Sequence, residues 1–332
     1  MVICHGDALK GVRQFRIKRR DCLVSFAMTI LVVAFGLFLL SSCRGVYKEN
    51  PALANNAKPL FTFVFDDGNE TDYLVAKDIF KTRGEVACSA VVTDWINTEN
   101  YLTGSQILEL QNDGWEILSH TKSHPNLREL SGDRIENEML QSKATLEKLG
   151  IKVKNLVYPF NMNNDLVRNI AAKYYRSARG GRSMPNPYVI DRYELKSYSV
   201  KHNVDKMKAY IDKAYSEKKW LIFHHHGIEG KIKISNKKGA FIPGEILNIT
   251  PSGAKAGYIK DNDSSMLFVP LSGTPRVNDT IIGQSSGAAC NLSKVLYNER
   301  ENIIEIIEYI HNKYPDMHIV TIDEGLNRTG LF

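Results

Sequence analysis

The sequence predicts an α/β fold on a parallel sheet, open or closed into a barrel, and three observations predict it. Short apolar runs rich in β-branched and aromatic residues alternate with stretches of helical periodicity from residue 61 to residue 223. Ionisable residues recur where those runs end: Asp66 and Asp67, then His120, then His224, His225 and His226. The alternation breaks off at Glu229 and resumes at Asn302, so a segment of different character interrupts one domain.

The first run, 61–65, is continuously apolar and stops at Asp66-Asp67-Gly68, where the glycine marks the chain leaving the sheet. In α/β barrels the chemistry sits at such C-terminal strand ends. Residues 72–83 have helical spacing in Tyr73, Val75, Ala76, Ile79 and Phe80, with Gly84 as the stop. A strand over 86–92 follows, then a helix over 103–112 with Thr103 or Ser105 as N-cap, then a strand over 114–118 ending in Ser119-His120-Thr121-Lys122-Ser123-His124. A helix over 131–149 stops at Gly150, and a short strand over 155–158 is broken by Pro159-Phe160. The spacing then predicts a helix over 165–173, β-like stretches over 174–179 and 188–200, a helix over 204–216, and a buried strand over 220–223 that runs into the three histidines.

Residues 230–298 are rich in Gly and Ser, show no helix until near Val295, and contain a duplication. Pro243-Gly244-Glu245-Ile246-Leu247 with Ser252-Gly253-Ala254 recurs as Val277-Asn278-Asp279-Thr280-Ile281-Ile282 with Ser286-Gly287-Ala288, the Ser-Gly-Ala units lying 34 residues apart. Two copies of a short β unit make a small all-β module inserted after the last strand of the α/β pattern. A helix over 302–313 and a strand over 318–322 complete the chain, giving a main domain of 59–229 and 299–332 around an insert of 230–298.

The N-terminus reads as targeting. Lys10, Arg13, Arg16, Lys18, Arg19, Arg20 and Arg44 against Asp7 and Asp21 give residues 1–44 a charge of +5 of the +6 total, so the body has no basic excess that points to nucleic acid. A charge-free apolar run over 23–40 leads to Leu40-Ser41-Ser42-Cys43, which resembles a bacterial lipobox. The resemblance implies a signal segment over 1–43, a lipid on Cys43, and a tether over 44–58 that holds the protein at the cell envelope outside the cytoplasm. The run is also just long enough for an uncleaved apolar anchor, and plain secretion is the third reading; all three place the body outside the cytoplasm. Only Cys88 and Cys290 remain in the body, and Cys88, inside an apolar run, is expected to be a free packed thiol.

His120 and His124 are spaced so that one turn can present both imidazoles on one side, and Asp67 supplies a carboxylate. Two imidazoles and one carboxylate suit zinc and leave a position open for water and substrate. With Thr62 to Gly68, Ser119 to His124, Tyr158-Pro159-Phe160 and Trp220 to Gly227, the sequence resembles the polysaccharide deacetylases of carbohydrate esterase family four, which share the NodB homology domain. That resemblance covers 59–228 and 299–326 and implies a distorted (β/α) barrel. It also implies a divalent metal, most often zinc with cobalt or nickel as alternatives, on Asp67, His120 and His124. It further implies Asp66 as general base and a closing histidine as general acid. His226, which precedes Gly227, is the first choice for that acid and His224 the second.

The chain departs from the family where an arginine is usual two residues before the proline, since Val157 stands there; Arg179 is the candidate to orient Asp66 instead. Asp191 is a candidate to orient the acid histidine, and Tyr158, Pro159 and Phe160 are candidates for the floor of a sugar site. The expected activity is metal-dependent removal of N-acetyl groups from an extracytoplasmic polysaccharide or peptidoglycan. The rivals are an O-acetyl esterase on glycans and a glycan-binding lipoprotein with a vestigial site.

Overall fold

The structure, a computed structural model, describes residues 58–187, 191–200, 202–262 and 264–329. The expected signal segment with Cys43, and the tether apart from Lys58, lie outside the described residues. Among the described residues no helix is long and apolar enough to cross a membrane.

Strand β1 (Leu60–Phe65) leads through a helical stretch, π-type over Asp72–Ala76 and α1 over Lys77–Lys81, to β2 (Cys88–Val91). Helix α2 (Gly104–Asn112) precedes β3 (Glu116–Ser119), α3 (Gly132–Lys148) precedes β4 (Asn155–Val157), and α4 (Asp165–Tyr174) precedes β5 (Ser177–Arg179). Then come the two-residue β6 (Tyr198–Ser199), α5 (Val204–Ser216) and β7 (Trp220–His225). Thr103 is the N-cap of α2 and forms a reciprocal pair with Gln106, which satisfies two otherwise orphaned amides.

These strands form one parallel sheet in the order β5-β4-β3-β2-β1-β7-β6. Strand β1 pairs with β7 along its full length, from Leu60 opposite Trp220 to Phe65 opposite His225. The sheet's two ends approach each other through the segment leading to β6, where Leu195 bridges Arg179 while Tyr198 and Ser199 pair with Phe223 and His224. The result is a distorted (β/α) barrel.

Every residue of β1 is buried, because both of its faces are covered. Phe61, Phe63 and Phe65 share one face and meet Phe80, Phe223 and Trp115 beneath the outer helices, with the Phe61–Phe63 and Phe61–Phe223 ring centres 4.8 and 5.1 Å apart. Leu60 and Val64 face inward with Leu118, Val157, Trp220 and Ile222. Thr62, on that inner face, donates its hydroxyl to the Val320 carbonyl at 2.7 Å and accepts the Trp220 indole N–H at 2.9 Å. Cys88 and Cys290 are both free and buried.

The insert contains β8 (Gly230–Lys238), β9 (Ile246–Thr250), β10 (Ala254–Asn262), β11 (Ser265–Ser272), β12 (Thr280–Gly283) and β13 (Ala289–Asn298). They close into an antiparallel barrel in the order β10-β11-β8-β13-β12-β9. The duplication is visible in the architecture: β8 to β10 form one copy and β11 to β13 the other, exchanging equivalent pairings. Inward residues repeat 34 positions apart, Ile232 with Met266, Ile234 with Phe268 and Leu247 with Ile281. So do the left-handed turns at Gly244 and Asn278.

The helix after the insert begins later than Val295, which lies inside β13, yet earlier than Asn302: α6 spans Glu299–Lys313. The expected final strand shortens to β14 (His318–Ile319), which shares an edge of β1 with β2, and Ile322 opens a helix, α7 (Ile322–Thr329), that periodicity did not reveal. Ile322 and Leu326 of α7 fill the barrel's interior beside Trp220.

Candidate active site

The site lies at the C-terminal ends of β1, β3, β5 and β7. Asp66 is the first residue beyond β1, tied by its amide to the His225 carbonyl at 2.7 Å, and it is buried. Arg179, the last residue of β5, is 1 % exposed and places one guanidinium nitrogen 2.7 and 2.6 Å from the two carboxylate oxygens of Asp66. Its other terminal nitrogen donates to the Asn161 side chain and to the Ser197 hydroxyl at 3.2 Å. Burial alone would raise the Asp66 carboxyl, but the adjacent Arg179 overrides this and holds it below the ordinary carboxylate value. Asp66 is therefore a permanently ionised acceptor at neutral pH. Arg179 is thus the cation beside Asp66.

Asp67 takes a left-handed backbone (φ 79°), which turns its side chain away from Asp66 and toward the histidines. Its Oδ1 lies 3.5 Å from His120 Nε2 and 3.6 Å from His124 Nε2, and its Oδ2 lies 4.0 Å from His226 Nε2. His120 bonds through Nδ1 to the Val157 carbonyl at 2.8 Å. A carbonyl only accepts, so Nδ1 carries a proton and Nε2 is the ring nitrogen that faces Asp67. His124 is held by its amide on the Thr121 hydroxyl at 3.1 Å and by rings on either side, Trp95 at 5.4 Å and Phe160 edge-on at 4.6 Å. Burial and the neighbouring His120 push the His124 imidazole down to about 4, so the ring is uncharged at neutral pH. The loop is braced by Glu138 of α3, which accepts from the Ser123 amide and hydroxyl, both at 2.8 Å.

The donor set fits a divalent cation. Asp67 Oδ1 is buried with no hydrogen-bond partner, an expensive state for a carboxylate oxygen unless a cation completes it. The ligand atoms of Asp67, His120 and His124 lie within 4.8 Å of one another, converging as zinc-type ligands do. Left-handed backbone at non-glycine residues clusters here as well: Asp67, Thr121, His124, Phe160 and Asn161. Such conformations cost free energy and concentrate where a side chain must be aimed.

The three terminal histidines have different fates. His224 and His226 share a face, as strand alternation predicts, with ring centres 6.3 Å apart. His224 is buried, its Nδ1 2.9 Å from the Ser197 hydroxyl and its Nε2 3.4 Å from the Asn161 amide; burial and Arg179 push it down to about 3. His226 stands past the end of β7, with its side chain 58 % exposed at the mouth of the site. His225 points the other way and is buried, with Nδ1 2.7 Å from the His226 carbonyl and Nε2 3.6 Å from Glu299.

Two expectations change. Tyr158 and Pro159 are buried, and Tyr158 gives its hydroxyl to the Tyr193 carbonyl at 3.1 Å while its amide extends the pairing with β5. They support the site from below, and only Phe160, 58 % exposed, can offer a sugar a surface. Asp191 accepts the Tyr193 amide at 2.8 Å in a turn and, among the described residues, makes no contact with a histidine. Sequence reasoning missed Asn161, Ser197 and Trp95; Asn161 alone had a signal, its place directly after Tyr158-Pro159-Phe160.

Asp72 lies behind the pair, wholly buried, accepting the Ser89 hydroxyl at 2.7 Å. Burial and the nearby Asp66 and Asp67 raise its carboxyl well above the ordinary value, favouring the uncharged form. Asp72→Asn, which keeps the shape and carries no charge, is expected to change the melting temperature by less than about 3 °C, a shift below roughly 1 kcal/mol in a domain of this size. Asp72→Ala removes the Ser89 partner and should cost about 1–3 kcal/mol. Calorimetry on the two variants checks this.

Residues 54–177 match the family model described as polysaccharide deacetylase. The chain is 29% identical over 136 residues to a gellan lyase of Bacillus sp, covering 40% of this chain and 5% of that one. It is 28% identical over 110 residues to YxkH of Bacillus subtilis (strain 168), a protein classed among the polysaccharide deacetylases, covering 33% of this chain and 39% of that one. Among solved structures it resembles the Streptococcus pyogenes deacetylase PplD in complex with acetate, with 31% identity, a TM-score of 0.36, and coverage of 41% of this chain and 62% of that one. The chain thus spans well under half the length of either curated relative. The segment that carries Asp66, Asp67, His120 and His124 is thus the part of the chain that matches the polysaccharide deacetylase family model.

Proposed function

We propose that this protein hydrolyses N-acetyl groups on an extracytoplasmic glycan, a polysaccharide or peptidoglycan, with the help of a divalent metal. The observation that carries the reading is Asp67 Oδ1, buried, without a hydrogen-bond donor, and facing the Nε2 atoms of two imidazoles beside a carboxylate that Arg179 keeps ionised. Asp67, His120 and His124 would hold the metal, zinc before cobalt or nickel. When bound there, the ion supplies Lewis acidity, polarising the acetyl carbonyl and making water a better nucleophile at neutral pH.

The chain's own residues do the rest. Asp66, ionised and fixed by Arg179, accepts the proton of the attacking water. His226, at the open mouth and on the side of Asp67, gives the proton that lets the amine leave. His224 is unsuited to that task, because an imidazole pushed down to about 3 carries no proton to give at neutral pH. Phe160 and Trp95 flank His124 and offer apolar faces to the ring of the sugar.

His226→Gln is expected to lower kcat by about 10²–10⁴ with the metal retained. The experiment is acetate release from N-acetylglucosamine oligomers and from peptidoglycan, alongside metal analysis; a variant at full rate would remove His226 from the mechanism. The anchoring at Cys43 belongs to this proposal, and mass spectrometry of the membrane fraction for a lipidated Cys43 tests it.

A further inference from the structure

We propose that the outer face of the inserted barrel, across β8 and β13, binds a polyanionic glycan and that the polymer served by the catalytic site carries carboxylate or phosphate groups. The inference deepens the deacetylase reading and rests on it for the word glycan. Its first ground is charge. Residues 230–298 hold eight Lys or Arg and four Asp or Glu, a net +4, while the rest of the chain from residue 45 onward sums to −3. The near-neutral body is thus a basic module carried by an acidic one.

The second ground is placement. Lys233 of β8 sits directly opposite Lys294 of β13, both exposed. Like charges opposed across two strands are destabilising, and neither ammonium has an ion pair or side-chain hydrogen bond among the described residues. Lys231 and Lys238 lie on the same two-strand face, opposite Tyr297 and Ala289, and likewise have no acidic partner among the described residues. Lys237 differs, being paired with Asp261. From Lys231 to Lys238 the row extends about 23 Å at the usual rise per residue of a strand. That is the layout of a track for a chain of repeating negative charges.

The third ground is shape and position. The far end of the row opens into a cavity of about 510 Å³ lined by Asn236, Lys238, Thr280 and Asn291, whose amides and hydroxyl suit sugar hydroxyls. The near end, Gly230, is four residues from His226. A polymer lying on β8 is therefore led toward the mouth of the catalytic site. Glycan is favoured over nucleic acid because the cavity offers polar groups but no aromatic side chain on which a base could stack.

The test uses the full chain and three probes: a polygalacturonate oligomer, a neutral N-acetylglucosamine oligomer, and a single-stranded oligonucleotide matched in charge to the first. Calorimetry should show binding of polygalacturonate that weakens with added salt, as screening of exposed charges requires. Lys233→Glu with Lys294→Glu should weaken it by at least about tenfold, the effect of a coupling near 1.4 kcal/mol. The double variant should release acetate from the neutral oligomer at the wild-type rate. Equal affinity for the neutral oligomer, tighter binding of the oligonucleotide, or an unchanged affinity in the double variant would each overturn the inference. Absence of acetate release from every substrate, with the polyanion binding intact, would instead sink the deacetylase reading and leave the track standing.

Discussion

Arg179→Leu is expected to destabilise the protein by about 3–5 kcal/mol and to abolish acetate release, the largest combined effect of any single change outside the metal ligands. The reason is the pairing. Asp66 is 4 % exposed and Arg179 is 1 % exposed, and the guanidinium meets both carboxylate oxygens. Without it a buried carboxylate remains with no cation, so burial raises the Asp66 carboxyl and the proton acceptor is lost near neutral pH. Arg179 also reaches Asn161 and Ser197, the two groups that touch His224, so its loss loosens the base and the floor behind it together. Chemical denaturation followed by acetate assay checks both halves. Arg179→Lys should recover part of the stability but little of the rate, because an ammonium cannot span Asp66, Asn161 and Ser197 at once.

Asp66→Asn is expected to lower kcat by about 10²–10⁴ while the metal stays bound. The amide cannot accept the water's proton, but Asp67, His120 and His124 keep their positions, since Asp66 is not among the converging ligands. The variant should therefore separate proton transfer from metal binding. A companion effect is visible in pH. His224 is pushed down to about 3 in the folded protein against about 6.5 unfolded, so the unfolded chain binds the proton more readily in that window. Stability then rises with pH between about 3 and about 6.5 and falls on acidification. Thermal melts from pH 7 to pH 4 should show a gentler fall in His224→Gln than in the wild type, with His124, pushed down to about 4, and the carboxyls held low in the fold, Asp66 among them, contributing to what remains.

The strongest parts of the site were legible because their chemistry is local in sequence. Asp66-Asp67-Gly68 ends a strand and His120 follows another, so residue type and strand boundary coincide. Arg179 could be named only because Val157 left a gap to fill; it reaches Asp66 from 113 residues away, through the closure of the sheet at Leu195. Asn161 and Ser197 could not be read, since a lone amide or hydroxyl carries no pattern until the fold brings it to a guanidinium.

The histidines show how far periodicity carries. Alternation put His224 and His226 on one face, but depth separates them: β7 ends at His225, and only the residue beyond it stands in the mouth. Tyr158 was misplaced for the same reason. Its motif marks the site, yet its amide continues the pairing with β5 and its ring goes into the core, where an added Cβ on Gly180 would lie 2.6 Å from it. Helix α7 escaped because the expected strand over 318–322 takes its first residue, Ile322; Ile322 and Leu326 are buried by the barrel interior, a tertiary demand with no local signature.

The measurement that bears most directly on the central claim is acetate release from an N-acetylglucosamine oligomer as zinc is returned to chelator-stripped full chain, wild type beside Asp67→Ala. The account predicts that activity rises with zinc to a plateau near one ion per chain in the wild type. It predicts neither stoichiometric zinc nor activity in Asp67→Ala, because the buried Oδ1 is the carboxylate third of the ligand set. Stoichiometric zinc uptake with undiminished acetate release by Asp67→Ala would contradict it.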